Sequence, residues 1–134
     1  MGLKENKALV IDFFDAIARC DTKRMDLLMT SEATWWVAPS TVYSGLHQKR
    51  DFLALIPTLF TNAAGPLTFR HGEMTAEEDR VSLYSKGHLL MTDGKTYQCD
   101  YHFLLHVKDG KIASGQEWLD SAHVNDIFGP PKSM

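Results

Sequence analysis

The clearest structural signal in the sequence is the stretch YHFLLHVKDGKI, residues 101–112, which continues as ASGQEWLD to residue 120. The dipeptide Asp109-Gly110 lies between two segments rich in β-branched and aromatic residues. This dipeptide is typical of tight hairpin turns, because type I′ turns need positive φ at both central residues. The segments that precede it are also long, rich in β-branched and aromatic residues, and joined by short polar turns. We therefore predict an antiparallel meander with strands at residues 67–76, 80–91, 96–107 and 111–120.

The first half of the chain has the spacing of helices instead. Val10, Phe13, Phe14 and Ile17 recur at i, i+3, i+4 and i+7, which predicts a buried stripe on a first helix. Two further helices are predicted on either side of a strand at residues 33–37, and Asp21 or Thr22 is expected to cap the first of them. Their inward positions are Met25, Leu28 and Met29, then Phe52, Leu55, Ile56, Leu59 and Phe60. Pro57 is expected either to kink the third helix or to end its regular part early.

Composition indicates one ordinary globular domain of 134 residues, with 44% hydrophobic residues and a net charge of −3. A nucleic acid or an anionic membrane would favour a basic face, so neither is expected as a partner. The start of the chain lacks the apolar core of a signal peptide, and two distant cysteines do not suggest a disulfide framework. We expect a reduced, cytoplasmic protein with a core at about 5–128 and a flexible tail at 129–134.

Helices followed by hairpins predict an α+β fold, in which one face of the sheet is buried by the helices. A strongly twisted sheet that wraps around helices leaves a cone-shaped space at one end. Such a space is a natural pocket for a small, largely apolar organic ligand.

Three stretches together resemble a known superfamily: IDFFDAIARCD at 11–21, ATWWVAP at 33–39, and the closing hairpin. The chain resembles the nuclear transport factor 2-like superfamily over roughly residues 5–128, in particular its SnoaL-like and ketosteroid-isomerase-like branch. The resemblance implies a cone-shaped α+β barrel, with three N-terminal helices on a strongly curved mixed or antiparallel sheet. It implies no single activity, because the superfamily includes isomerases, cyclases, dehydratases, epoxide hydrolases and non-catalytic subunits.

The catalytic residues of two branches can be compared position by position. The proton-transferring positions of ketosteroid isomerases correspond to Phe13, Phe103, and Val37 or Ala38, and none of these side chains can transfer a proton. In limonene-epoxide-hydrolase-like members, two catalytic positions on the middle strand correspond to Ser85 and Gly87 here. Of the catalytic set of that branch, only the aspartate of the last strand remains, as Asp120. The resemblance therefore does not carry either of these two activities to this chain.

Asp120, Tyr101 and His71 are the candidates for catalysis. Asp120 could shuttle a proton at an apolar pocket mouth, or it could be solvated or cap a helix that begins at Ser121. Tyr101 could donate a hydrogen bond to a ligand, or bind a backbone group or water. His71 shares strand parity with Leu67 and Phe69 and could act as a base, or it could be a hydrogen-bonded rim residue.

The candidate substrate-binding walls are aromatic: Trp36, Tyr43, Phe13, Phe103 and Trp118. Trp35 and Trp36 must face opposite sides of their strand, so only one of them can be in the core. If Phe103 faces the pocket, alternation turns Cys99, Tyr101 and Leu105 the same way. Asp100, His102 and His106 then lie on the outer face, where aromatic and histidine side chains favour a homodimer, among them Tyr84, His88 and His102.

No cofactor or metal is expected, since the histidines lack metal-ligand spacing and no phosphate-binding glycine motif is present. The leading hypothesis is a cofactor-independent enzyme that performs acid–base chemistry of the isomerase, polyketide-cyclase or dehydratase type. The alternative is a ligand-binding or dimerisation module of the same fold without catalysis. A third hypothesis is a small subunit of a larger oxygenase.

Overall fold

The computed structural model describes residues 2–131. Met1 and residues 132–134, the end of the predicted tail, lie outside the described residues. The helices in this range are α1 (Leu3–Ala18), α2 (Thr22–Leu28), α3 (Lys49–Leu55) and α4 (Ser121–Phe128). The strands are β1 (Met29–Val37), β2 (Gly45–Gln48), β3 (Thr68–Glu77), β4 (Arg80–Leu90), β5 (Thr96–Lys108) and β6 (Lys111–Leu119). None of the helices in this range is long and apolar enough to cross a membrane.

The strands form one sheet in the order β2-β1-β6-β5-β4-β3. Neighbouring strands are antiparallel except β1 and β6, which run parallel where the last strand of the meander lies beside β1. The predicted α+β class, the three N-terminal helices and the mixed curved sheet are confirmed. The cone-shaped sheet is open and curled, and it does not close into a continuous barrel.

Local turn chemistry accounts for the hairpins. Asp109 and Gly110 have φ of 52° and 74°, the positive pair that the β5–β6 turn requires. At the β4–β5 connection only Gly94 has positive φ, and the backbone N–H of Met91 donates to the carbonyl of Lys95, which makes a wider turn than a two-residue hairpin. All four predicted meander strands are confirmed to within a residue or two at each end.

Pro57 ends the regular part of the third helix early, which is one of the two outcomes predicted for it. The α-helical part stops at Leu55, and a 3₁₀ helix (Ile56–Phe60) follows with Pro57 near its start. One assignment was wrong nearby: Met29 is the first residue of β1 and not the last turn of α2, although it is buried as expected. The 3₁₀ segment turns Ile56 and Leu59 toward the concave face of the sheet.

The core is a set of aromatic rings between that concave face and α1. Phe14 packs on Phe103 with ring centroids 4.5 Å apart, and Trp35 stacks on Phe52 at 4.7 Å. The alternation predicted for β5 is confirmed: Cys99, Tyr101, Phe103 and Leu105 are buried, whereas Asp100 and His102 are exposed. A planar ring buries a large apolar area, so these contacts supply much of the stabilisation of the fold.

A β-bulge in β6 decides which of its side chains face the core. Val107 pairs with Ile112, but the next pair is His106 with Ser114, so Ala113 is an extra residue in the strand. Beyond the bulge, Phe103 pairs with Glu117. Side chains of directly paired residues project to the same face, so Glu117 points to the concave side with Phe103.

Candidate functional site

A cavity of about 70 Å³ lies between the concave face of the sheet and the helices α1, α3 and α4. Its wall is almost entirely apolar and aromatic. Five lining residues carry polar side-chain groups: Trp35, Tyr43, Tyr97, Tyr101 and Glu117. An apolar cavity with a few polar groups is the usual form of a small-molecule site.

Glu117 is the one acidic side chain that lines this cavity in the described part of the chain. Its Oε1 accepts a hydrogen bond of 2.9 Å from the indole Nε1 of Trp35. Burial raises the pKa of Glu117 from 4.5 to about 7, and the Trp35 hydrogen bond opposes that rise in part. The carboxyl group can therefore both take up and release a proton near neutral pH.

Gly115 allows Trp35 to reach this carboxylate. Trp35 and Gly115 are direct partners across the parallel β1–β6 pair. A Cβ atom at position 115 would lie 2.1 Å from Cζ3 of the Trp35 ring, closer than real atoms approach. The indole thus lies flat over the glycine, and its N–H points two residues along β6 toward Glu117.

Tyr101 and Tyr97 supply hydroxyl groups to the same cavity. Their hydroxyls are hydrogen-bonded to each other, which uses one phenolic proton of the pair. The other phenolic proton has only the thiol of Cys99, a weak acceptor, beside it and can be donated to a ligand instead. Burial raises the pKa of both phenols well above 10.0, and a negative charge on Glu117 raises that of Tyr101 further. Both phenols therefore stay protonated at neutral pH and act as hydrogen-bond donors.

Three of the predicted site residues line the cavity: Tyr101, Tyr43 and Phe103. Burial raises the pKa of Tyr43 as well, so its hydroxyl also stays protonated. Phe13 is fully buried but does not line the cavity. Its ring lies behind the wall, 5.6 Å from the rings of Phe14 and Trp35.

Asp120 does not lie in the cavity, contrary to expectation. Its side chain is exposed, and its Oδ1 accepts a hydrogen bond of 3.2 Å from the backbone N–H of His123. It is the N-cap of α4, the alternative that the sequence left open. Because β6 ends at Leu119, the chain has already turned away from the concave face at Asp120.

The predicted placement of Trp36 and Trp118 in the pocket was wrong. Both lie on the outer face of the sheet, where their rings pack at 4.9 Å, and Trp118 is 50% exposed. The outward position of Trp36 follows from simple alternation, since Trp35 occupies the core. The outward position of Trp118 follows from the bulge, which pairs this residue with the outward-facing His102.

His71 is half-buried beside the core but does not line the cavity. Its Nδ1 lies 3.1 Å from the hydroxyl of Ser85, and its ring packs between Phe14 and Phe69. Burial lowers the pKa of His71, so the ring is neutral at neutral pH. These contacts match the hydrogen-bonded alternative more closely than a base in the cavity.

Sequence reasoning missed Glu117, Trp35 and Tyr97. Tyr97 could have been found, because it shares parity with Tyr101 on one strand. Glu117 could not, because an unbroken hairpin register from Asp109-Gly110 would pair Phe103 with Gln116 and turn Glu117 outward. No three His, Cys, Asp or Glu side chains within residues 2–131 converge to hold a metal ion.

Solved structures with the same fold are numerous but distant in sequence. An NTF2-like protein of Burkholderia xenovorans LB400 is 21% identical, with a TM-score of 0.76, 94% of this chain covered and 97% of that one. IdmH of Streptomyces antibioticus, proposed as a polyketide cyclase, is 13% identical, with a TM-score of 0.77 and coverages of 92% and 98%. An LEH-like epoxide hydrolase of M. tuberculosis is 14% identical, with a TM-score of 0.72 and coverages of 92% and 89%. At these identities the likeness shows the fold alone.

Comparison by sequence gives a match to a family model. No curated protein sequence matches this chain. The family model of the SnoaL-like domain matches residues 10–115, from the buried stripe of α1 to the glycine beneath Trp35. The chain therefore belongs to the SnoaL-like domain family, and its fold is that of the nuclear transport factor 2-like structures.

Proposed function

We propose that this protein is a cofactor-independent enzyme that transfers protons on a small, largely apolar organic substrate, with Glu117 as the general acid–base group. The observation that carries the proposal is a single carboxyl group, hydrogen-bonded by Trp35, in an apolar cavity that two protonated tyrosines also line. The proposal moves the acid–base role from Asp120 to Glu117 and keeps the reaction class that the sequence suggested.

The geometry supports one sequence of proton transfers. The ionised Glu117 carboxylate takes a proton from a carbon next to a carbonyl group, and the electron pair of the broken C–H bond moves to the carbonyl oxygen. The remaining phenolic proton of Tyr101 or Tyr97 hydrogen-bonds to that oxygen and stabilises its negative charge. Glu117 then returns the proton to another carbon in an isomerisation, or to a departing hydroxyl group in a dehydration.

The properties of the cavity match these steps. A carboxyl group with a pKa of about 7 is divided between its two protonation states at neutral pH, as an acid–base catalyst needs. The apolar wall keeps water from the developing charge, which strengthens the hydrogen bonds from the phenols. An aldol-type cyclisation of a polyketide begins with the same proton abstraction, so isomerase, cyclase and dehydratase chemistry share this mechanism.

The first experiment measures proton abstraction without needing the true substrate. Purified protein is incubated in D₂O with small cyclic ketones such as cyclohexanone, and deuterium incorporation at the α-carbon is followed by NMR. We expect Glu117→Gln to lose at least about a hundredfold of the exchange rate, the usual contribution of an acid–base group.

Two further carboxylates provide controls. Glu73→Gln changes an exposed carboxylate on β3 and should retain the rate. Asp120→Asn should also retain it once folding has been verified, since Asp120 lies outside the cavity. Full activity of Glu117→Gln, or loss of activity in Asp120→Asn with the fold intact, would contradict the assignment.

A ligand-binding module without catalysis is the second candidate. The apolar side chains at Phe13 and Phe103, where related isomerases transfer protons, favour it. It predicts that ketones bind in the cavity without any deuterium exchange above the buffer rate. It also predicts equal binding by the wild type and Glu117→Gln.

A further inference from the structure

A groove adjoins the cavity and shares two lining residues with it. It has a volume of about 420 Å³ and lies between the 3₁₀ helix, the β4–β5 turn and the end of α4. Tyr43 and Leu59 line both the cavity and this groove, so they form the partition between the two spaces. The ring of Tyr43 also meets Phe128 of α4 edge-on at 5.5 Å.

The two spaces differ in chemistry. The inner cavity is apolar apart from Glu117, the indole N–H of Trp35 and the tyrosine hydroxyls, whereas the groove is bordered by the side chains of Thr58, Asn62, Thr92 and Asp93. Asn62 and Thr92 are held together by a backbone hydrogen bond of 2.8 Å from the Thr92 N–H to the Asn62 carbonyl. Among the described residues, their side-chain amide and hydroxyl have no hydrogen-bond partner, so both are free to bind a ligand.

The volume of the cavity limits what it can hold on its own. A single water needs roughly 10–15 Å³ of such volume, so a cavity of about 70 Å³ holds a small ring and little more. A larger molecule with its reactive carbon at Glu117 extends beyond the cavity, and the groove is the adjoining space that shares Tyr43 and Leu59 with it. The remainder of that molecule then lies in the groove.

We propose that the substrate is an elongated amphipathic molecule, whose apolar end occupies the cavity beside Glu117 and whose hydroxyl-bearing end lies in the groove against Asn62 and Thr92. This inference rests on the proposed function and specifies its substrate class. The exposed carboxylate of Asp93 borders the same groove, so an uncharged hydroxyl end is favoured over an anionic one. Asn62 and Thr92 are accordingly specificity-determining residues.

Matched aromatic probes test the inference. Toluene is short enough for the cavity alone, 4-phenylbutan-1-ol reaches the groove, and butylbenzene has the same reach without the hydroxyl. Binding is measured by calorimetry, and amide shifts are recorded on ¹⁵N-labelled protein. We expect the alcohol to shift the amides of Asn62 and Thr92, and toluene to shift those of cavity residues only. The alcohol should also bind at least about fivefold more tightly than 4-phenylbutanoate.

The variants change the groove and leave the cavity intact. Asn62→Leu and Thr92→Val should each weaken the alcohol at least about fivefold and leave toluene unchanged. Thr75→Val, an exposed position on β3 outside the groove, is the matched control. The proposal is overturned if the alcohol shifts only cavity amides, if Asn62→Leu and Thr92→Val bind it as tightly as the wild type, or if neither toluene nor the alcohol binds.

Failure of this inference can be distinguished from failure of the proposed function. The titration of the Glu117 carboxyl, followed by ¹³C NMR, and the ketone exchange reaction depend on the cavity and not on the groove. Exchange that needs Glu117, combined with no groove contact by the alcohol, would refute the substrate class alone. Absence of the exchange reaction would refute the proposed enzymatic function.

Discussion

Glu117 combines an ionisable group with an apolar location, and the Trp35 N–H is the one direct hydrogen bond that the described residues donate to its side chain. A carboxylate that loses water without gaining full compensation is less stable when charged, so the proton is held more tightly. The same property makes the residue useful for proton transfer and costly for folding. Functional sites commonly show this conflict between stability and activity.

The free energy of unfolding should therefore depend on Glu117 and on pH. Between pH 4.5 and about 7 the unfolded chain has released this proton and the folded chain still holds it, so stability falls as pH rises through that window. Above pH 7 the loss is constant, at roughly 3 kcal/mol for the full shift. Glu117→Gln removes this loss and can still accept the Trp35 hydrogen bond.

Urea unfolding of the wild type and of Glu117→Gln from pH 4.5 to 8 measures this effect. The stability advantage of the glutamine variant should grow with pH up to about 7 and then level off. Titration of His71 and other groups is common to both proteins and cancels in the difference. A difference that stays constant over the whole range would show that Glu117 has an ordinary pKa.

At the scale of elements, the β1–β6 pair positions the site. The parallel pairing of Trp35 with Gly115 places the indole over the last strand, and the bulge at Ala113 turns Glu117 toward it. Neither feature alone brings the two side chains together. A one-residue change of register reverses every side chain beyond it, so the bulge controls the chemistry of the whole strand.

Gly115→Ala should disrupt this contact. The added methyl group would lie 2.1 Å from a ring carbon of the fully buried Trp35, which has no free space to move into. Overpacking of this kind costs about 1–3 kcal/mol, or more where the backbone cannot adjust. We expect a lower midpoint of thermal unfolding, a changed tryptophan fluorescence spectrum and loss of ketone exchange.

Gly72→Ala is the matched control for that substitution. The added methyl at position 72 would approach Cδ1 of the exposed Tyr84 side chain at 3.2 Å, which a small rotation of that ring relieves. This variant should keep its fluorescence spectrum and its activity. Equal destabilisation by both substitutions would mean that strand propensity, and not contact with Trp35, makes glycine necessary at position 115.

At the scale of the whole molecule, the outer face of the sheet carries exposed apolar side chains. Trp118 is 50% exposed, Tyr84 52% and Leu46 62%. Trp36 packs against Trp118 and extends the same patch. We propose that a second copy of the chain covers this face in an isologous homodimer, in keeping with the expectation from the sequence.

Light scattering after size-exclusion chromatography tests the dimer. The wild type should elute with the mass of two chains, and Trp118→Glu with the mass of one, because an unpaired buried charge opposes association. Leu27→Glu alters a leucine on α2 that is 62% exposed and away from the sheet face, and it should remain dimeric. A monomeric wild type, or a dimeric Trp118→Glu, would contradict the proposed interface.

Local patterns in the chain were sufficient to predict the helices, the four meander strands, the break at Pro57 and the inward face of β5, because spacing and turn chemistry act over a few neighbouring residues. Long-range packing decided the site. The extra residue at Ala113 reversed the parity of β6, so Glu117 entered the cavity, Trp118 turned outward and Asp120 became a helix cap. A bulge is stabilised by the pairing of two strands and by the packing of Trp35 over Gly115, and neither contact is visible within the local sequence of β6.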